Sequence, residues 1–285
     1  MGSVENLSDE DAREIINAIV ERSVKPDYMV KQRKTLRQIL HYYTYETKVI
    51  LSHYFGAKYI IPSFTNKMRR DKMMKKLRAE WDVIASAKII PSDGKFVIMY
   101  PMQMQPEANL DVWGNKYMNQ LNSIKGILNN TDNDCVVLLK PNPKAKYELT
   151  RDLLDYIKAN DRIITVPLSY PMQECLKKTN LVVAVTGTIA IECILMNKPI
   201  VTLHKTINNE MDNCPFMQDM CELSKYVDFV RNRSFPEISE ESKIEFLNML
   251  NKSSYYGYPY VSDFDNNLSE AEGCSSDIIK LVNSL

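Results

Sequence analysis

The chain has 285 residues, 45% of them hydrophobic, enough for one large domain or two small ones around a real core. Lysine plus arginine and aspartate plus glutamate each number 36, so no net field favours nucleic acid and any attraction for an anion has to be local. No apolar run approaches transmembrane length, the N-terminus is polar and acidic, and Met1-Gly2 followed by Asn6 misses the myristoylation pattern, which argues against a spanning or lipidated protein.

Six cysteines, at 135, 175, 193, 214, 221 and 274, lie scattered without a CxxC pair. Cys135 and Cys193 fall in apolar runs, where a reduced thiol packs as a small hydrophobe, so the expected location is cytoplasmic. Without a secretory signal, sequons such as Asn129-Asn130-Thr131 carry no weight.

From Ser8 to Ala87 the pattern is helical. Ala12, Ile15, Ile16 and Ile19 recur at helical spacing, a long segment follows from Asp27 to Tyr54, and a basic one from Asn66 to Ile84; only Lys58 to Pro62 reads as extended. After Pro91-Ser92-Asp93-Gly94 strands alternate with helices. The strands are Phe96 to Tyr100, Cys135 to Leu139, Ile163 to Val166, Leu181 to Val185 and Ile200 to Leu203. Helices are expected near Lys116 to Leu128, Tyr147 to Ala159 and Met172 to Lys178, and from Thr188. This alternation predicts an α/β fold with right-handed crossovers and a parallel sheet covered on both faces. Tyr226 to Val230 is a candidate sixth strand, and two helices close the chain. The implied division is a mostly helical region over 1–93 and an α/β domain over 94–285.

The segment Leu181 to Met196 is the most informative. A five-residue apolar run meets the turn Thr186-Gly187-Thr188 and then a helix with no polar stripe, so strand and helix should both be buried. Thr188 is placed to cap the helix, whose free N–H groups and dipole make an anion site at a strand's carboxyl end. Glu192 follows one turn later among Ile191, Cys193 and Ile194. A carboxylate there has to be satisfied, by a ribose diol beside the phosphate, by the turn itself, or by a basic neighbour.

Three further strand ends carry polar residues: Tyr100 to Glu107, with Gln103 and Gln105; Leu139 to Lys144, with Lys140, Asn142 and Lys144; and Val166 to Pro171, with Ser169. Prolines stiffen all three. Lys140 and Lys144 offer charge for a diphosphate or phosphodiester, or are plain surface lysines.

Taken together, Tyr-Pro-x-x-x-Gln-Pro-Glu at 100–107, Gly114 to Gln120 behind it, Lys-Pro-x-Pro at 140–143 and Thr-Gly-Thr-x-x-x-Glu at 186–192 resemble the bacterial capsule polysaccharide glycosyltransferases, the group that includes Kdo transferases using CMP-Kdo. The resemblance covers about Phe96 to Leu203. It implies the Rossmann-like, nucleotide-sugar-binding half of a GT-B architecture, with the nucleotide held by Lys140, Asn142, Ser169, Thr186, Gly187, Thr188 and Glu192. Gln103 and Asn142 stand where that family usually carries His; an amide donates a hydrogen bond but does not become cationic. About ninety helical residues are also too few for a full acceptor domain. The acceptor side is therefore reduced or the chain truncated, and Met1-Gly2-Ser3 looks like a cloning remnant.

Glycosyl transfer needs a carboxylate near the anomeric carbon and groups that stabilise the leaving phosphate. Glu107 is the first candidate and Asp111 the second, against the alternative that Glu107 caps a loop. Gln103, Gln105 and His204, at the end of the fifth strand, are candidate substrate contacts; His41 and His53 are not. No DxD pair follows a strand, so no metal is expected, and no cofactor beyond the nucleotide-sugar donor, possibly CMP-linked. The acceptor would be a glycan or a lipid-linked glycan. Met68, Met73, Met74, Leu77 and Trp81 interleave with seven basic residues between 67 and 78, a pattern that suits an anionic membrane, an anionic glycan, or a helix with a solvated cationic face. Tyr255 to Tyr260 is read as packing across the sheet rather than stacking on sugars. Two rivals to transfer remain: an epimerase of the same architecture, and a binding module without activity.

Overall fold

A computed structural model describes residues 6–21, 35–59, 61–86, 90–91, 94–142 and 147–253. Five parallel strands, β1 (Phe96–Pro101), β2 (Cys135–Lys140), β3 (Ile163–Thr165), β4 (Leu181–Ala184) and β5 (Ile200–Thr202), form one sheet in the order β3-β2-β1-β4-β5. Every strand residue is buried, as continuous apolar runs require when helices cover both faces. The fold is thus the Rossmann-like α/β arrangement expected. The direction of winding reverses between β1 and β4, which places a crevice beyond their carboxyl ends.

Strand alternation sorts the core into two layers. Ile98, Tyr100, Val137, Leu139 and Val183 face one layer with α3 (Phe64–Ser86), α4 (Gln120–Asn129), α5 (Arg151–Lys158) and α8 (Leu223–Arg231). Val97, Met99, Leu138, Val182 and Ala184 face the other, with α1 (Asp9–Val20), α6 (Met172–Lys177), α7 (Ile189–Leu195) and α9 (Glu240–Lys252). The N-terminal helices therefore belong to the same core as the sheet: α1 packs against α9 and α7, and α3 against α5 and β3. Buried Trp81 of α3 donates its indole N–H to the Val166 carbonyl at 2.9 Å, just past β3. The remaining helix, α2 (Leu36–Ser52), is exposed along most of its length.

Several expectations are corrected. Tyr226 to Val230 is helical within α8, because Leu223, Tyr226 and Val227 are buried at helical spacing. Lys58 caps the wide helical turn over His53–Ala57 and lies with Tyr59 in a turn, with Ile61 N–H bonded to Ala57 C=O; among the described residues this stretch has no strand to pair with. Two helices start later than expected, at the residues that Asn119 and Thr150 cap through their side chains. α9 is one of the closing helices; Lys144 and Tyr255 to Tyr260 lie outside the described residues. Cys135, Cys175, Cys193 and Cys214 are buried free thiols, and Cys221 is an exposed one.

The amino ends of β2 and β3 are clamped by Arg162, whose guanidinium donates to the carbonyls of Cys135, Leu128, Thr131 and Asp132 and to the Thr131 hydroxyl, at 2.7–3.0 Å. Removing this fork leaves four carbonyls short of a donor. Arg162→Ala should cost about 2–3 kcal/mol in urea denaturation, and Arg162→Lys should recover only part, since an ammonium cannot span the same fork.

Candidate functional site

The crevice at the β1/β4 reversal is built by loops held together through side-chain amides. Beyond β1, Gln103 donates its amide to the Thr186 carbonyl at 3.0 Å, joining the β1 loop to the turn after β4. Gln120, buried at the first position of α4, grips the Gln103 backbone from both sides: its Oε1 accepts the Gln103 N–H and its Nε2 donates to the Gln103 C=O, each at 2.8 Å. Gln120 Nε2 also donates to Gln105 Oε1 at 3.0 Å, and Gln105 Nε2 in turn donates to the Met118 carbonyl at 3.0 Å and to Asp111 at 3.3 Å. Four side chains thus fix the lip. In the sequence Gln120 closes the Gly114 to Gln120 part of the motif resemblance with no role of its own; the structure buries it beside Ser123, Ile124 and Ile127.

Asp111 takes the capping role considered for Glu107. Its carboxylate accepts the Glu107 N–H at 2.7 Å, while the Glu107 carbonyl accepts from Leu110 and Asp111 and starts the single turn of wide helix over Asn109–Trp113. The Glu107 side chain is half-buried at the lip and, among the described residues, makes no hydrogen bond or ion pair.

Across the crevice, Gly187 has φ +103°, a backbone conformation that suits glycine. A Cβ there would meet the Gln103 amide at 3.4 Å, so the carboxamide lies directly against this turn. Thr186 is buried, with its hydroxyl 3.4 Å from the Asn109 carbonyl. Thr188, expected to cap α7, makes no side-chain cap: its backbone is already helical and its hydroxyl side chain is exposed. The first turn of α7 therefore starts without a threonine cap, with the Ala190 N–H on the Gly187 carbonyl at 3.2 Å and the threonine at the surface beside it. Glu192 is half-buried one turn on and is not without a partner within the protein. His204 follows β5, half-buried, with its N–H on the Val185 carbonyl at 3.2 Å, next to the same turn.

Lys140 is placed differently from a surface lysine. It is buried, and its ammonium donates to the carbonyls of Pro141 at 2.7 Å and Leu168 at 3.0 Å, tying the loops after β2 and β3 together. Asn142 is half-buried on the first of these loops and Ser169 exposed on the second. Among the sequence-selected residues two groups stand out, with Glu107, Lys140, Asn142 and Ser169 outside both. Gln103, Thr186, Gly187, Thr188, Glu192 and His204 gather at the β1/β4/β5 ends, whereas Gln105 and Asp111 open on a neighbouring cleft of about 590 Å³ walled by Arg70, Tyr147, Glu148 and Asp152. There the Arg70 guanidinium lies 4.2 Å from the Tyr147 ring centre, and Tyr147 N–H bonds the Gln105 carbonyl at 3.0 Å. Among the described residues, no three His, Cys, Asp or Glu side chains are grouped so as to hold a metal ion.

No protein-family model and no curated protein matches the chain. Solved structures similar to it include the UDP-GlcNAc 2-epimerase of Methanocaldococcus jannaschii, 17% identical over 62% of this chain and 49% of that one, with a TM-score of 0.41. KpsC of Thermosulfurimonas dismutans, a β-Kdo 2,7-transferase, is 15% identical over 67% of this chain and 68% of that one, with a TM-score of 0.35. The wall teichoic acid polymerase TagF is 16% identical over 62% and 47%, with a TM-score of 0.31. The chain spans about half the length of the epimerases it matches. At such identities the likeness does not reach activity or substrate.

Proposed function

We propose that the chain is the donor-binding half of a glycosyltransferase that uses a nucleotide sugar, with the donor's phosphates at the turn Thr186-Gly187-Thr188. The supporting observation is the juxtaposition at the winding reversal: a positive-φ glycine turn, a helix start that Thr188 does not cap, a carboxamide laid against the turn, and Glu107, whose side chain makes no hydrogen bond or ion pair among the described residues, on loops fixed by Gln120 and Asp111. In this reading the first-turn N–H groups of α7 and the Thr188 hydroxyl hold the leaving phosphate, Glu192 turns to the ribose, and His204 flanks the sugar. Glu107 takes the proton of the acceptor hydroxyl as its oxygen attacks the anomeric carbon and the bond to the phosphate breaks, releasing the nucleotide as an anion. The donor class implied by the motif resemblance is CMP-linked Kdo or a related acidic sugar, and the acceptor a surface glycan.

Calorimetric titration with CMP, UDP and GDP, followed by incubation of the preferred sugar nucleotide with and without glycan acceptors, tests the reading. Acceptor-dependent nucleotide release is the expected result. An altered sugar configuration without acceptor would establish epimerisation instead, and binding with neither reaction a module without turnover. Glu192→Ala should weaken nucleotide binding ten-fold or more, the equivalent of about 1.5–3 kcal/mol for a hydrogen bond to a charged group. Unchanged affinity in a folded variant would remove Glu192 from the site.

A further inference from the structure

We propose that the hairpin formed by α2 and the first half of α3 docks on an anionic lipid surface. Leu36, Leu40, Tyr43 and Leu51 share one face of α2, and the first three are 84%, 69% and 65% exposed. The chain then reverses through a wide turn in which Gly56 has φ +121°, presenting Phe55 at 85% and Tyr59 at 89% exposure at the tip. The hairpin has defined internal ties, since Lys67 pairs with Glu46 and a His53 ring nitrogen lies 2.6 Å from the Ile61 carbonyl. An apolar face this extensive is unusual on a protein surface that meets only water.

Charge selects the occupant. Between residues 36 and 79 ten lysines and arginines stand against two acids, Glu46 and Asp71, although the whole chain is neutral. Met74 and Leu77 of α3 turn into the core, while Arg69, Lys72, Lys75 and Lys76 remain exposed beside Met68 and Met73. A second copy applied to this face by two-fold symmetry would set cation against cation. A polyanion such as RNA or an acidic glycan would neutralise the lysines but leave the leucines and aromatics in water. An anionic bilayer satisfies both: headgroups meet the lysines, and Tyr43, Phe55 and Tyr59 seat at the interfacial depth that aromatic side chains favour. Among the described residues no helix is long and apolar enough to cross a membrane, so the contact is peripheral.

The test is co-sedimentation of the whole chain with vesicles of phosphatidylcholine and phosphatidylglycerol, against phosphatidylcholine alone, at low and high salt. Binding confined to the anionic vesicles and weakened by salt is expected. Replacing Lys72, Lys75 and Lys76 together by Glu should lower partitioning by at least about 100-fold, taking roughly five-fold per lysine. Leu40→Ser combined with Phe55→Ser should lower it about ten-fold or more. All these side chains are exposed, and circular dichroism verifies the fold. Absence of binding, equal binding to both vesicle types, or an apolar double variant that binds as the parent does would each overturn the proposal. So would a dimer seen by light scattering without vesicles and dissociated by Leu40→Ser, which would assign the face to a second copy. None of these readouts uses a nucleotide, so the result stands apart from the donor-site reading.

Discussion

Trp81→Ala should lower the stability of the entire α/β fold by about 3–5 kcal/mol, although Trp81 lies outside the sheet and its crossovers. The side chain is fully buried in α3, within the layer that holds Ile98, Tyr100, Val137 and Leu139. Its truncation opens a cavity against the sheet and strips the Val166 carbonyl of the indole donor. For a chain of this size the loss corresponds to a fall of about 10 °C in melting temperature. Trp81→Phe keeps most of the volume and loses the N–H, and is expected to cost about 1–3 kcal/mol. A single cooperative transition shifted in the alanine variant, followed by both far-ultraviolet circular dichroism and intrinsic fluorescence, is the expected observation. Two separable transitions, with the sheet melting as in the parent, would show that α3 is an independent unit.

Gly114→Ala should cost about 1–3 kcal/mol through crowding alone, because φ at Gly114 is an ordinary −91°. A Cβ at this position would stand 2.7 Å from Val185 Cγ1 and 2.9 Å from the Asn109 carbonyl oxygen. The loop after β1 lies this close to the end of β4, and the close fit positions Gln103 over Gly187. The substitution should therefore also weaken binding of the preferred nucleotide, by pushing the β1 loop off the turn. Val185→Ala removes one of the two obstacles, and the double variant should recover part of both losses. A double-mutant cycle by urea denaturation measures this coupling directly. Independent, additive effects would mean that the two loops relax separately.

The sheet was readable because each of its strands is a short run of buried apolar residues ended by a turn or by proline, and such runs carry their meaning locally. The same local signals misplaced Tyr226 to Val230, where aromatic and branched residues suit either a strand or a buried helix face and the packing of Leu223 and Tyr226 decides. Lys58 to Tyr59 reads as extended for the same reason, but a strand exists only when another strand lies beside it. Site residues were legible in proportion to how local their role is. Thr186-Gly187-Thr188 stands out in the sequence because a glycine turn ends an apolar run. Gln120 does not, since its value lies in reaching Gln103 and Gln105 across some fifteen residues of chain. Thr188 shows the reverse error. A threonine before a helix suggests a cap that the backbone conformation then leaves unmade. The basic stretch of α3 was ambiguous because both faces of one helix are used, Met74, Leu77 and Trp81 inward and the lysines outward.

The carboxamide chain from Gln103 through Gln120 to Gln105 has an operational consequence. Glutamine side chains neither gain nor lose protons across the range in which proteins stay folded, so the frame that aligns the two loops keeps its donors and acceptors in acid and in alkali alike. An imidazole in the place of Gln103 would have tied that alignment to its own titration. Any acidity profile measured for turnover should thus carry no contribution from these three carboxamides.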